Sequence, residues 1–219
     1  MTPAKDRVRE AAVRLFATKG FHGTGIRDLA QAADLSSATL YHYMGTKEDL
    51  LVRIMTESLQ RLVDTGRELK ESARSPRDKI GRLVQLHVIT HALQQEQTIV
   101  VDNELRVLST GARKTVLSLR DEYEALWRDT ISEGCAQNTF QVPDQGIVRL
   151  GLLELCTGVA RWYSPSGALP LTDITQAHVR MAYAMLGVRP SRNRKDGDSV
   201  PPVEPVLKRV SEVWGVTAA

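Results

Sequence analysis

Apolar residues recur along almost the whole chain at the three- and four-residue intervals of an amphipathic helix, and no stretch alternates as a strand would. The first helix is predicted from Pro3 to about Thr18. Val8, Ala11, Ala12, Leu15 and Phe16 share one of its faces, while Arg7, Glu10 and Arg14 lie opposite. "KGFHGTG" stops it, with Gly20 placed for a left-handed exit. A short helix follows from Ile26 to Ala33. Ser36 stands where it can cap another, running to about Met44 and ended by Gly45. Thr46 and Asp49 of "TKED" then match a capping box that opens a long helix to about Ala73.

Ser75, Pro76 and Asp78 repeat the start signal for a helix ending near Leu93. Further helices are predicted from Ile99 to Leu108 and from Ala112 to Ala136. After the loop "GCAQNTFQVPD" a mostly apolar helix runs to about Trp162 and contains Gly151, Gly158 and Ala160. A last strong helix is read from Thr172, as cap, to Leu186, with Gly187 closing it. Residues 189–205 combine proline, serine and mixed charge and read as a mobile linker. "VLKRVSEVW" beyond it fits either a loosely attached terminal helix or disorder. The fold class is therefore all-α, with three short helices first and longer ones after.

Composition narrows the function classes more than it names one. Of 219 residues, 42% are hydrophobic and 25% charged, and the formal net charge of +3 is too mild to identify a nucleic acid as partner. Cys135 and Cys156 stand far apart in no metal-like or redox spacing and read as buried apolar residues in a reducing compartment. The N-terminal stretch carries charges throughout, unlike a signal peptide, and no apolar run approaches the ~20 residues of a membrane span. A cytoplasmic protein with no membrane association is the expectation. No phosphate-cradling glycine loop, paired catalytic carboxylates or Ser-His-Asp set is present, so an enzyme, a resident cofactor and a metal are not expected.

The two short helices around "DLS" have the lengths of a helix-turn-helix, in which the first helix braces a second that enters the major groove. Leu40 and Met44, one turn apart, face inward. Ser37, Thr39, Tyr41 and His42 are left on outer surfaces, where hydroxyls and imidazole can bond phosphates or base edges. Taken alone, such polar faces are more often solvated surface than a DNA reader. The order of features supplies the context. "LFATKGF", "TGIRDLAQAADLS" and "TLYHYMGTKEDLL" together resemble the head of the TetR family of transcriptional regulators. Met44 stands where that family commonly has phenylalanine, and "DLS" replaces its frequent Gly-Val-Ser turn.

The resemblance implies that residues 1–47 form a DNA-binding head, 48–188 an effector-binding and dimerisation domain, and 189–219 a linker with a possible terminal helix. It places Ser37, Thr39, Tyr41, His42 and Tyr43, with the cap Ser36, at DNA-facing positions. Thr24, Arg27 and Lys47 fall where phosphates are held. It also implies a homodimer on a palindromic double-stranded DNA operator, with the glycine-bearing helix from Ile147 to Tyr163 at the subunit interface; an ordinary buried helix is the alternative. A small-molecule effector is expected among the polar and aromatic residues of the middle helices: His87, His91, Asn103, Arg106, Tyr123, Trp127, Arg161 and Trp162. His87 and His91, one turn apart, lack an identifiable third metal ligand. "DEYEALWRDTISEG" and "RWYSPSGALPLTDITQAHVRMAYAMLG" are similar to the C-terminal region of TetR regulators of fatty-acid or steroid catabolism. This implies an acyl-CoA effector, with Arg106, Arg113, Arg120 and Arg161 available for its phosphates or, alternatively, as exposed helix charges. A non-regulatory helical ligand-binding protein or an architectural DNA binder is the competing function.

Overall fold

A computed structural model describes residues 3–188 and 200–216, and every regular element among them is helical. In order these are α1 (Ala4–Gly23), α2 (Ile26–Ala32), α3 (Ser37–Met44), α4 (Lys47–Glu71), α5 (Pro76–Leu93) and α6 (Gln95–Asn103). A 3₁₀ turn (Glu104–Val107) precedes α7 (Thr110–Ala136), α8 (Gln145–Thr157), α9 (Val159–Trp162), α10 (Leu171–Met185) and α11 (Glu204–Trp214). The segment read as a mobile linker lies mostly outside the described residues.

Local chemistry sets most of these boundaries. Ser36 Oγ accepts from the Thr39 amide at the start of α3. Thr46 and Asp49 exchange side-chain and backbone bonds at 2.9 and 3.0 Å, a complete capping box before α4. Ser75 accepts from the Asp78 amide, but the Asp78 carboxylate reaches back to Arg74 instead.

Four boundaries differ from the predicted ones. Gly20 interrupts α1 with φ 74° and ψ 165°, and one further helical turn carries Phe21 into the core. α6 starts at Gln95 rather than Ile99, because Gln97 and Thr98 are buried; Gln97 donates to Ser58 Oγ at 2.8 Å, so polar residues occupy an inward face. α10 starts at Leu171 after Pro170, whose φ of −59° and ψ of 146° set the extended entry, and Thr172 is inside the helix rather than its cap. The helix read as continuous to Trp162 breaks at Gly158 into α8 and the short α9.

The chain divides into two compact units. The first comprises residues 1–60 and 94–120, the second 61–93 and 121–219. In the first, α1 packs on α2, α3 and α6 around Val8, Phe16, Leu29, Leu40, Ile54 and Val100. In the second, α5 is the central helix, touched by α8, α9, α10 and α11. Its core includes Leu83, Trp127, Phe140, Leu152, Val179 and Val206. The segment left between helix and disorder by the sequence is the helix α11. Val206, Val210 and Trp214 are buried, Gln85 donates to the Pro201 carbonyl at 2.6 Å, and Arg209 binds Glu68 at 2.7 Å.

Candidate nucleic-acid interface

α3 is held from below and open above. Leu40 and Met44 are 0% and 1% exposed, while Ser36, Ser37, Thr39, Tyr41 and His42 are all exposed. Tyr43 is half-buried against the core, with its ring edge-on to His42 at 5.3 Å. The Ser36 and Thr39 hydroxyls lie 2.8 Å apart, so part of their hydrogen-bonding capacity is already engaged in the cap. Tyr41, half exposed at 52%, projects an aromatic ring and a hydroxyl from an otherwise small-residue surface. Such a face offers hydroxyl, imidazole and phenol groups to phosphate or base edges.

Two expected phosphate residues are oriented differently. Thr24 is buried, and its hydroxyl donates to the carbonyls of Gly20 at 2.8 Å and Leu15 at 3.2 Å. The side chain thus closes the α1–α2 corner rather than presenting an outward donor. Lys47 directs its ammonium to the Phe21 and Thr24 carbonyls at 2.7 and 2.9 Å, 4.2 Å from the Phe21 ring centroid. Arg27 is exposed, as expected of a phosphate contact.

The same device recurs in two places that the sequence does not reveal. Arg7 Nε donates to the Ala33 carbonyl after α2, and Arg53 donates to the Tyr43 and Met44 carbonyls at the end of α3. Cationic side chains thus satisfy carbonyls where each of the three head helices ends, the favourable end for positive charge. Basic residues at helical spacing are visible in the sequence, but their distant carbonyl partners are not.

The eight expected effector residues do not form one cluster. His87, His91, Tyr123 and Trp127 come together in the second unit. The imidazoles stack at 3.8 Å, with His87 3.3 Å from the Tyr123 hydroxyl and edge-on to Trp127 at 5.7 Å. His87 Nε2 lies 2.9 Å from the Thr157 hydroxyl, a partner that sequence reading missed because one threonine on an apolar helix carries no distinguishing pattern. His91 Nδ1 donates to the His87 carbonyl. Burial, reinforced by the His91 charge, pushes the His87 pKa well below its ordinary value. Burial lowers that of His91 to about 4, so both rings are neutral at pH 7. Burial likewise raises the Tyr123 phenol.

Asn103 and Arg106 belong to the first unit and are exposed. Arg161 and Trp162 are exposed in the second, where Trp162 stacks on His178 at 6.2 Å. Arg120, one of the arginines considered for a phosphate mouth, binds the Val101 carbonyl and Asp102. Among the described residues there is no group of three metal-ligating side chains and no helix long and apolar enough to cross a membrane.

Two family models match the chain: "Bacterial regulatory proteins, tetR family" over residues 8–54, and "Tetracyclin repressor-like, C-terminal domain" over residues 73–186. The HTH-type transcriptional repressor KstR2 of Mycolicibacterium smegmatis is 25% identical over 193 residues, covering 87% of this chain and 93% of that protein. The fatty acid metabolism regulator protein of Bacillus subtilis is 25% identical over 133 residues, covering 60% and 68%. The crystal structure of a tetR-family bacterial regulatory protein from Rhodococcus RHA1 matches with a TM-score of 0.79 at 25% identity, covering 87% of this chain and all of that one.

Proposed function

The chain belongs to the TetR family of bacterial transcriptional regulators, and from that premise we propose that it is a repressor that reads a palindromic operator as a homodimer and is released by a small hydrophobic effector. Members of the family are DNA-binding regulators rather than enzymes. The observation that carries the DNA assignment is the division of α3 into a buried Leu40–Met44 side and an exposed side bearing Ser37, Thr39, Tyr41 and His42. In this reading Tyr41 and His42 meet base edges or the sugar-phosphate chain, Arg27 holds a phosphate, and the Thr39 hydroxyl divides between cap and DNA.

Dimerisation is supported by an unpartnered apolar face on α8 and α10, which pack on each other within the second unit. Ile147 is 68% exposed and Leu150 49%, while Met181 and Met185 are each 39% exposed. Gly151 keeps the backbone low beside Met185, whose Cε would lie 3.2 Å from an added Cβ. A second copy of this surface is its natural cover, because an isologous contact buries both faces at once.

An acyl-CoA is the effector class we favour. The B. subtilis relative is named a regulator of fatty acid metabolism, and His87, His91, Tyr123 and Trp127 provide a neutral, largely apolar setting for an acyl or ring moiety. An effector that prefers one of two conformations lowers DNA affinity by its differential binding free energy, typically about 1–3 kcal/mol. α4, which begins three residues after α3 ends, is the element whose tilt carries that preference.

The test is selection of a binding sequence from random duplex DNA, followed by footprinting and titration with an acyl-CoA panel. The expected outcome is a protected palindrome that is released by at least one thioester. Uniform protection would instead indicate an architectural DNA binder, and no protection a ligand-binding protein without a regulatory head.

A further inference from the structure

A single peptide group, that of Phe21, joins parts of the chain far apart in sequence. The break at Gly20 leaves the Phe21 N–H outside the α1 ladder, and Glu104 Oε1 accepts from it at 3.1 Å. On the other side of the residue, the Phe21 carbonyl accepts from Lys47 Nζ at 2.7 Å. Lys47 also binds the Thr24 carbonyl and covers the Phe21 ring. Thr24 completes the knot by donating to Gly20. An anion from the turn after α6 and a cation from the first residue of α4 therefore hold Phe21 from opposite sides. Charged partners make these among the stronger hydrogen bonds in the unit, and linked bonds of this kind reinforce one another.

The position of Lys47 gives the knot its consequence. It opens α4 only three residues after Met44 ends the DNA-facing helix α3. Gly45, at φ 71°, and the Thr46–Asp49 capping box leave little slack between them. Whatever fixes the seat of Lys47 therefore fixes the start of α4 and, through two residues, the end of α3. Glu104 in turn stands between Asn103 and Arg106, two exposed residues of the same corner.

We infer that Glu104 is a positioning residue for DNA recognition, setting the orientation of α3 through Phe21 and Lys47 without touching DNA itself. The inference rests on the DNA-reading role of α3 and deepens it by naming how that helix is held. Removing the carboxylate frees the Phe21 amide and loosens the carbonyl on which the ammonium rests.

The experiment uses the full chain and a duplex selected by the wild-type protein. Failure to recover any palindrome would overturn the reading of α3 and this inference with it. Given a selected duplex, Glu104→Ala is expected to weaken its binding about tenfold, within the usual span of coupling between sites. Binding to a scrambled duplex should remain unchanged. Glu104→Gln, which keeps an acceptor for the Phe21 amide, should stay close to wild type. Glu104→Asp, with shorter reach and full charge, should fall between and serves as the milder probe if the alanine variant unfolds. A double-mutant cycle with Lys47→Ala separates positioning from general stability: the combined loss should be clearly less than the sum, because both residues act through Phe21. Unchanged operator affinity in the alanine and aspartate variants, or strictly additive losses, would overturn the role assigned to Glu104. Equal weakening on operator and scrambled DNA would do the same.

Discussion

Lys47 has three N–H donors, and two of them rest on carbonyls of its own head. Only one donor of its ammonium is therefore left for a phosphate at the start of α4. Tyr41 differs, being half exposed with no structural task in the core. Tyr41→Ala is expected to weaken operator binding severalfold while leaving the melting temperature within a degree or two; gel shift and thermal unfolding together check it. Ser36→Ala should cost about 1 kcal/mol of head stability, the usual worth of such a cap, readable by denaturant titration. The caps were legible in the sequence because Ser36–Thr39 and Thr46–Asp49 are complete within four residues. The orientation of Lys47 was not, because its partners lie 26 and 23 positions away. The histidine pair has its own pH signature. Their folded values lie below the ordinary 6.5, so the unfolded chain takes up protons first on acidification. Stability should be full above about pH 6.5 and decline toward pH 4, where His91 also protonates in the folded state. Unfolding titrations at pH 7 and 5 should show this loss, and His91→Gln should reduce it.

At the scale of elements, helix type was readable nearly everywhere, whereas helix starts failed where inward positions are polar. α6 shows the reason: Gln97 and Thr98 are buried, and a pattern that equates inward with apolar places the start four residues late. Arg161 and Trp162, expected at a ligand cavity, lie exposed beyond the break at Gly158, a change of direction that the apolar pattern does not encode. The turn after α7 depends on a shape that no periodicity encodes. The amides of Thr139 and Phe140 both bind the Gly134 carbonyl, and the Phe140 ring lies directly over that glycine. A Cβ there would come within 2.0 Å of the ring. Gly134→Ala should destabilise the second unit by roughly 1–3 kcal/mol, the range of overpacked cores, as a lowered denaturation midpoint would show.

Across the whole molecule, the two family models follow one another along the chain, over residues 8–54 and 73–186, yet the compact units do not follow that linear order. The first unit takes residues 94–120 as well as the first sixty, so the α6–α7 segment shares a core with α1, α2 and α3. Leu150→Glu tests assembly at this scale. It places a charge on the exposed α8 face and should shift the chain toward monomer in sedimentation, with palindrome binding falling alongside it. An unchanged dimer would move the interface elsewhere. The distribution of indoles has a practical consequence for all such measurements. The three tryptophans, at 127, 162 and 214, are all in the second unit. Intrinsic fluorescence excited at the indole band is therefore blind to melting of the first unit, and far-ultraviolet dichroism must be recorded beside it. Coincident curves would indicate cooperative unfolding, while separated ones would resolve the two units without any label. With Trp127 fully buried and Trp162 55% exposed, a blue shift on raising protein concentration would report burial of Trp162, making this native side chain an optical gauge of self-association.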